Sequence, residues 1–123
     1  MMKHLRYFLA AALLAFAGLA SAQTTMLSAV TVTGAGSSVL PPYSGTKQFQ
    51  AVGATTAGAG SVSVAVQCSL DGTNYDTIGT ITLTLSTTPA SNNFNSNDRC
   101  RLVRGNVTAI SGTGASVSLY LGM

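Results

Sequence analysis

CRLVRGNVTAISGTGASVSLYLGM, residues 100–123, decides the fold class. Val107 and Ala109 alternate with Thr108 and Ile110, a Gly112-Thr113-Gly114 turn follows, and Val117, Leu119 and Leu121 then alternate with Ser116, Ser118 and Tyr120. Alternation with a period of two on either side of a glycine-rich turn predicts two strands joined as a hairpin. The second strand runs almost to residue 123, so the end of the chain is expected inside a sheet and not in a loose tail.

The same pattern extends towards the N-terminus. Val30 and Val32 alternate with Thr31 and Thr33, which predicts a first strand at about 27–33. Pro41 and Pro42 then hold an extended or turning segment, because proline fixes φ and removes an N–H donor. KQFQAV (47–52) predicts a short strand with Phe49 and Ala51 on one face. SVSVAVQC (61–68) places Val62, Val64, Val66 and Cys68 on one face, and DTIGTITLTL (76–85) does the same for Ile81, Leu83 and Leu85. The SLDGTNY segment between them has turn chemistry: Asp and Asn side chains bond nearby backbone amides and Gly accepts positive φ. TTPASNNFNSND (87–98) is too polar for an obvious strand and reads as a loop anchored by Phe94. GAGSVSVAV (58–66) echoes TGASVSLYL (113–121), and two hairpins with the same turn chemistry explain the echo. The sum is a single all-β domain, an antiparallel β-sandwich or jelly roll.

The first 22 residues do not belong to that domain. Lys3 and Arg6 precede an apolar run from Tyr7 to Leu19, and Ala20-Ser21-Ala22 forms a small-residue exit before Gln23. This is the pattern of a secretory signal peptide; the alternative is an uncleaved N-terminal anchor, against which the clean exit and a run short for a membrane span both argue. The expected mature chain, residues 23–123, keeps four cations (Lys47, Arg99, Arg101, Arg104) and three anions (Asp71, Asp76, Asp98), a net charge of about +1. Such a balance gives little long-range attraction for nucleic acid or anionic lipid.

The residue inventory limits the chemistry. The single His is His4, in the leader, and all three acidic residues are Asp. A Ser-His-Asp or Cys-His arrangement cannot be assembled from residues 23–123, and two Cys do not complete a zinc site. No cofactor is expected. Asp71 and Asp76 have turn and strand-start roles that explain them without an acid pair for glycoside hydrolysis. The GAG and GTG turns lack the Lys and following helix of a phosphate loop, and Asn106-Val107-Thr108 within a strand matches the glycosylation pattern by chance. A non-enzymatic protein is the expectation.

Cys68 lies in phase with Val66 and Cys100 in phase with Leu102, so both are expected to point inward near strand ends. In an oxidising compartment two such residues pair; the alternative is two free buried thiols. Arg99, Arg101 and Arg104 form the one charge cluster, with Arg99 and Arg101 on one face of a strand. They are a candidate patch for an acidic partner surface or a glycan, while solubility and protection of a strand edge explain them more simply.

SLDGTNYDTIGTITLTL (69–85) and RLVRGNVTAISGTGASVSLYLGM (101–123) resemble small β-sandwich virion proteins of tailed bacteriophages. These combine a DGTN-aromatic turn, a Thr-rich alternating strand and a closing VR-x-N-V-T hairpin. The resemblance covers about half of the mature chain. It implies a decoration, tail or fibre-type subunit present in many copies, and it brings no catalytic residues. A leader and paired Cys depart from that family. They point instead to an exported bacterial surface or periplasmic binding protein: an adhesin, a filament subunit or a blocker of phage adsorption. On either reading the expected partner is a further copy or another structural or surface protein. The expected location is the periplasm, the cell surface, the medium or a virion.

Overall fold

The computed structural model describes residues 23–41 and 45–122. The expected signal peptide (1–22) and Pro42 lie outside the described residues. The rest is strand and turn: β1 (Gln23–Val30), β2 (Gly34–Ala35), β3 (Lys47–Ala54), β4 (Ala57–Ser69), β5 (Asp76–Leu85), β6 (Ala90–Ser96), β7 (Leu102–Thr113) and β8 (Ser116–Gly122). Two antiparallel four-stranded sheets result. Sheet A has the order β1-β8-β3-β6 and sheet B the order β2-β7-β4-β5. That is the strand order of an eight-stranded jelly roll, as the alternation led us to expect.

The connectivity corrects one part of the sequence reading. β7 and β8 do not form a hairpin: β7 lies in sheet B and β8 in sheet A, so the Gly112–Gly114 turn carries the chain across the sandwich. The GAG segment behaves likewise, since β3 lies in sheet A and β4 in sheet B. The sequence echo therefore marks two arches and not two hairpins. They pack against each other. The Thr56 amide donates to the Thr113 carbonyl at 3.0 Å. A Cβ on Gly60 would sit 2.3 Å from the Ser111 carbonyl oxygen, and Gly112 has a φ of +119°. Glycine at these corners lets the two backbones touch, which alternation within a window of residues cannot reveal. Among the described residues the one hairpin between consecutive strands is β4–β5, turned by residues 70–75.

The core follows from the pleat. Val62, Val64 and Val66 of β4 and Ile81, Leu83 and Leu85 of β5 face Phe49 and Ala51 of β3 and Val117, Leu119 and Leu121 of β8. Each buried Val or Leu contributes roughly 1.5–3 kcal/mol, so strict alternation fixes the register of all four strands. On β7 the phase slips. Ser63 pairs with Ala109 but Val64 with Val107, leaving Thr108 as an extra residue. Val107 is therefore buried, Ala109 exposed, and Ile110 returns to the core side.

Three further expectations need adjustment. The first strand runs from Gln23 to Val30 and not 27–33. Met26 and Leu27 are its buried residues, Val30 is half-buried and Val32 is 67% exposed. The chain then crosses to sheet B, where Gly34 pairs with Val107. Residues 90–96, expected as loop, form β6 in a regular seven-pair ladder with β3. Phe94 is its anchor as expected, with its ring 6.0 Å from that of Phe49. Lys47, counted among the four cations whose balance sets the surface charge, is 1% exposed and donates from Nζ to the Asp98 carbonyl at 2.6 Å.

Candidate functional site

The arches occupy one end of the sandwich. At the other end three segments meet: Leu40 and Pro41, the 70–75 turn and residues 97–101. The second and third are fixed by local hydrogen bonds. Asp71 is the hub of the turn. Its Oδ1 accepts from the amides of Thr73 (2.8 Å) and Asn74 (2.7 Å) and from Ser69 Oγ (3.1 Å), and its Oδ2 accepts from Asn74 Nδ2 at 2.7 Å. The Asn74 amide bond, then the Thr73 amide and the Asn74 side chain, hold the exposed Asp71 carboxyl well below the usual carboxylate range. Ser96 Oγ donates to Asp98 Oδ2 at 2.7 Å and accepts from the Asp98 amide at 3.0 Å, which shapes the exit from β6.

Cys68 and Cys100 are bonded, with their Cα atoms 5.4 Å apart. The bridge ties the end of β4 to the segment that enters β7. Both residues are half-buried, so the bond lies at the end of the sandwich and not in its core. The physical reason is that Cys100 precedes β7 and follows the loop trajectory, not the pleat.

Around this bridge lie two adjoining hollows of about 340 and 390 Å³ that share Leu70 and Arg99. One is lined by Asp71, Asp76 and Asp98, the three acidic residues of the sequence. The other is lined by Leu40, Pro41, Cys100 and Arg101. Leu40 and Leu70 are 75% and 71% exposed. The result is a groove with an apolar centre, acids on one flank and two arginines on the other. Among the described residues no three His, Cys, Asp or Glu side chains converge as metal ligands.

The arginine cluster divides. Arg99 and Arg101 line the groove, but from a loop and not from one face of a strand. Arg104 lies on β7, outside it. Its guanidinium carbon sits 3.8 Å from the Tyr75 ring centroid and its Nε donates to Gln67 Oε1 at 2.8 Å. Tyr75 in turn hydrogen-bonds Ser38 through its hydroxyl. Arg104 therefore braces the 70–75 turn. Leu40 and Leu70 were not singled out in the sequence; isolated leucines in polar loops carry no signal until the fold brings them together.

The sequence matches no protein-family model, and no curated protein matches it. A solved structure described as "CBM4 structure and function" is similar at 11% identity and a TM-score of 0.45, over 81% of this chain and 65% of that one. At that level the likeness carries no functional argument. No helix among the described residues is long and apolar enough to cross a membrane.

Proposed function

We propose that this chain is a non-enzymatic exported subunit of a surface or particle assembly, and that it works by docking its loop end onto another protein. The observation that carries this reading is the pair of exposed leucines, Leu40 and Leu70, in a groove rimmed by Arg99, Arg101 and aspartates. An apolar centre with a charged rim and available arginines is the anatomy of a protein interface. The Cys68–Cys100 bridge in the groove floor reduces the ordering cost of binding there.

The jelly roll itself does not discriminate, because capsid and lectin domains share it. The cross-link supports export over cytoplasmic assembly, since disulfides persist in oxidising compartments. The virion-type subunit is the second reading, favoured by the turn and strand motifs of residues 69–85 and 101–123.

Fractionation of the native source tests the proposal. The mature chain, with an intact mass beginning at Gln23, is expected in the surface or particle fraction. Reversing both charges in Arg99→Glu/Arg101→Glu should release it to the medium with an unchanged melting temperature. A wild-type product found free in the medium, or a variant that stays bound, rejects docking through this end. Full-length chain recovered with Met1 rejects export by cleavage.

A further inference from the structure

The outward face of sheet A has a composition unlike the rest of the molecule. Thr25, Tyr120, Gln50 and Asn93 stand side by side across its four strands, by the registers Thr25↔Tyr120, Gln50↔Tyr120 and Gln50↔Asn93. The next row places Gln48 between Gly122 and Asn95. Gln48, Gln50, Asn93, Asn95 and Thr25 are all exposed, and Tyr120 is half-exposed. Neighbouring strands lie about 4.8 Å apart and like-facing residues about 6.8 Å apart along a strand, so the amides form a regularly spaced array around one phenol ring. No acidic or basic side chain faces outward from these strands. Lys47 at the start of β3 is buried, and the other charges among the described residues lie on the loop end and on sheet B.

Gly122 opens this array. Its position has no positive φ, and among the described residues a Cβ there would meet only Gln48, at 3.7 and 3.9 Å, which is ordinary contact. Neither backbone geometry nor packing requires glycine at that point. The missing side chain leaves a notch beside Tyr120, with Gln48 on its rim.

We infer that the outward face of sheet A is a binding site for an uncharged oligosaccharide, with Tyr120 as the stacking platform and Gln48, Gln50 and Asn93 as the hydroxyl-reading groups. Each amide offers two donors and an acceptor, which suits ligands whose hydroxyls both donate and accept. Tyrosine supplies an apolar ring face with a polar tip, which suits the C–H faces of a sugar ring. Absence of charge removes the attraction that nucleic acid or an acidic polysaccharide would need. The face also lacks the apolar core of a protein interface, which argues against a second copy of the chain as its occupant. The site is separate from the loop-end groove, so one end can hold the subunit in an assembly while the sheet face meets a glycan.

The experiment uses the mature, oxidised protein with maltohexaose, cellohexaose and chitohexaose as neutral probes and an alginate oligomer as the acidic one. Titration calorimetry and affinity electrophoresis should detect at least one neutral probe and not alginate. Tyr120→Ala should weaken binding roughly tenfold or more, the scale of losing a main contact. Gly122→Val fills the notch and should abolish binding, while the strand keeps or gains stability because Val suits a strand better than Gly. Any of four results overturns the inference: no neutral probe bound, alginate bound preferentially, both variants binding as wild type, or light scattering showing this face buried in a dimer that Gly122→Val dissociates. Arg99→Glu/Arg101→Glu should bind the probe as wild type, which keeps this site's failure distinct from that of the docking groove.

Discussion

The ring of Phe94 occupies the space that a side chain on Gly79 would fill: a Cβ at residue 79 would lie 2.5 Å from Phe94 Cζ. This contact closes the sandwich between β5 and β6, the edge strands on that side. Gly79→Val should overpack the contact and cost about 1–3 kcal/mol. Phe94→Ala, which removes a half-buried ring stacked on Phe49, should cost about 2–3 kcal/mol, below the range for a fully buried Phe. In the double variant Gly79→Val/Phe94→Ala the two costs should fall short of their sum. Urea titrations of the four proteins give the coupling directly, and strict additivity would contradict the contact.

The disulfide has a separate signature. Cys68 and Cys100 are 32 residues apart, so in the chain-entropy model the bridge stabilises by roughly 3–4 kcal/mol. Non-reducing peptide mapping should recover one linked pair. Cys68→Ala/Cys100→Ala should melt well below the oxidised wild type and close to the reduced wild type. Equal melting of oxidised and reduced protein would remove the bridge from the stability account.

Arg104 and the groove arginines should respond differently to truncation. Arg104→Ala loses the Tyr75 stacking and the Gln67 bond, and should cost about 1–2 kcal/mol. Arg99→Ala and Arg101→Ala, on exposed loop positions, should stay within about 0.5 kcal/mol of wild type. Thermal melts of the three single variants check the division. An Arg99 effect as large as that of Arg104 would make the groove arginines structural.

Asp71 gives a pH test. Its folded carboxyl titrates below the ordinary carboxylate value of about 3.9, so its contribution is present above that value and is lost as pH falls through the depressed folded value. Wild-type stability should therefore drop on acidification below about pH 4, and Asp71→Ala should flatten that limb while lowering the melting temperature at neutral pH. Parallel limbs for the two proteins would show that another carboxylate governs the acid response.

These particulars also mark what the sequence made legible. Strands β3, β4, β5 and β8 were readable because apolar and polar residues alternate strictly where one face is buried. β6 was hidden because an edge strand with Asn92, Asn93 and Asn95 exposed buries little more than Phe94 and Ser96. The arches passed for hairpins because glycine-rich turns permit either path, and the choice depends on contacts between Gly60 and Gly112, which are distant in sequence. The pairing of the two cysteines was legible from their being the only two in the sequence, but their place was not, because Cys100 precedes β7 and does not follow the pleat. The loop-end groove was not legible either, since Leu40, Leu70 and Arg99 meet only once three segments converge.

The pairing of β1 with β8 has a consequence for how the chain reaches this state. Gln23 lies opposite Gly122, so the first and last strands complete sheet A together. Among the described residues six of the seven successive strand transitions change sheets, and β4–β5 is the one local hairpin. Folding dominated by such distant pairings is slow. A chain emerging from a ribosome leaves β1 without its strand partner in sheet A until residues 117–121 arrive. The topology thus delays closure of sheet A until β8 has been made, and that interval is the time when a holding chaperone matters most.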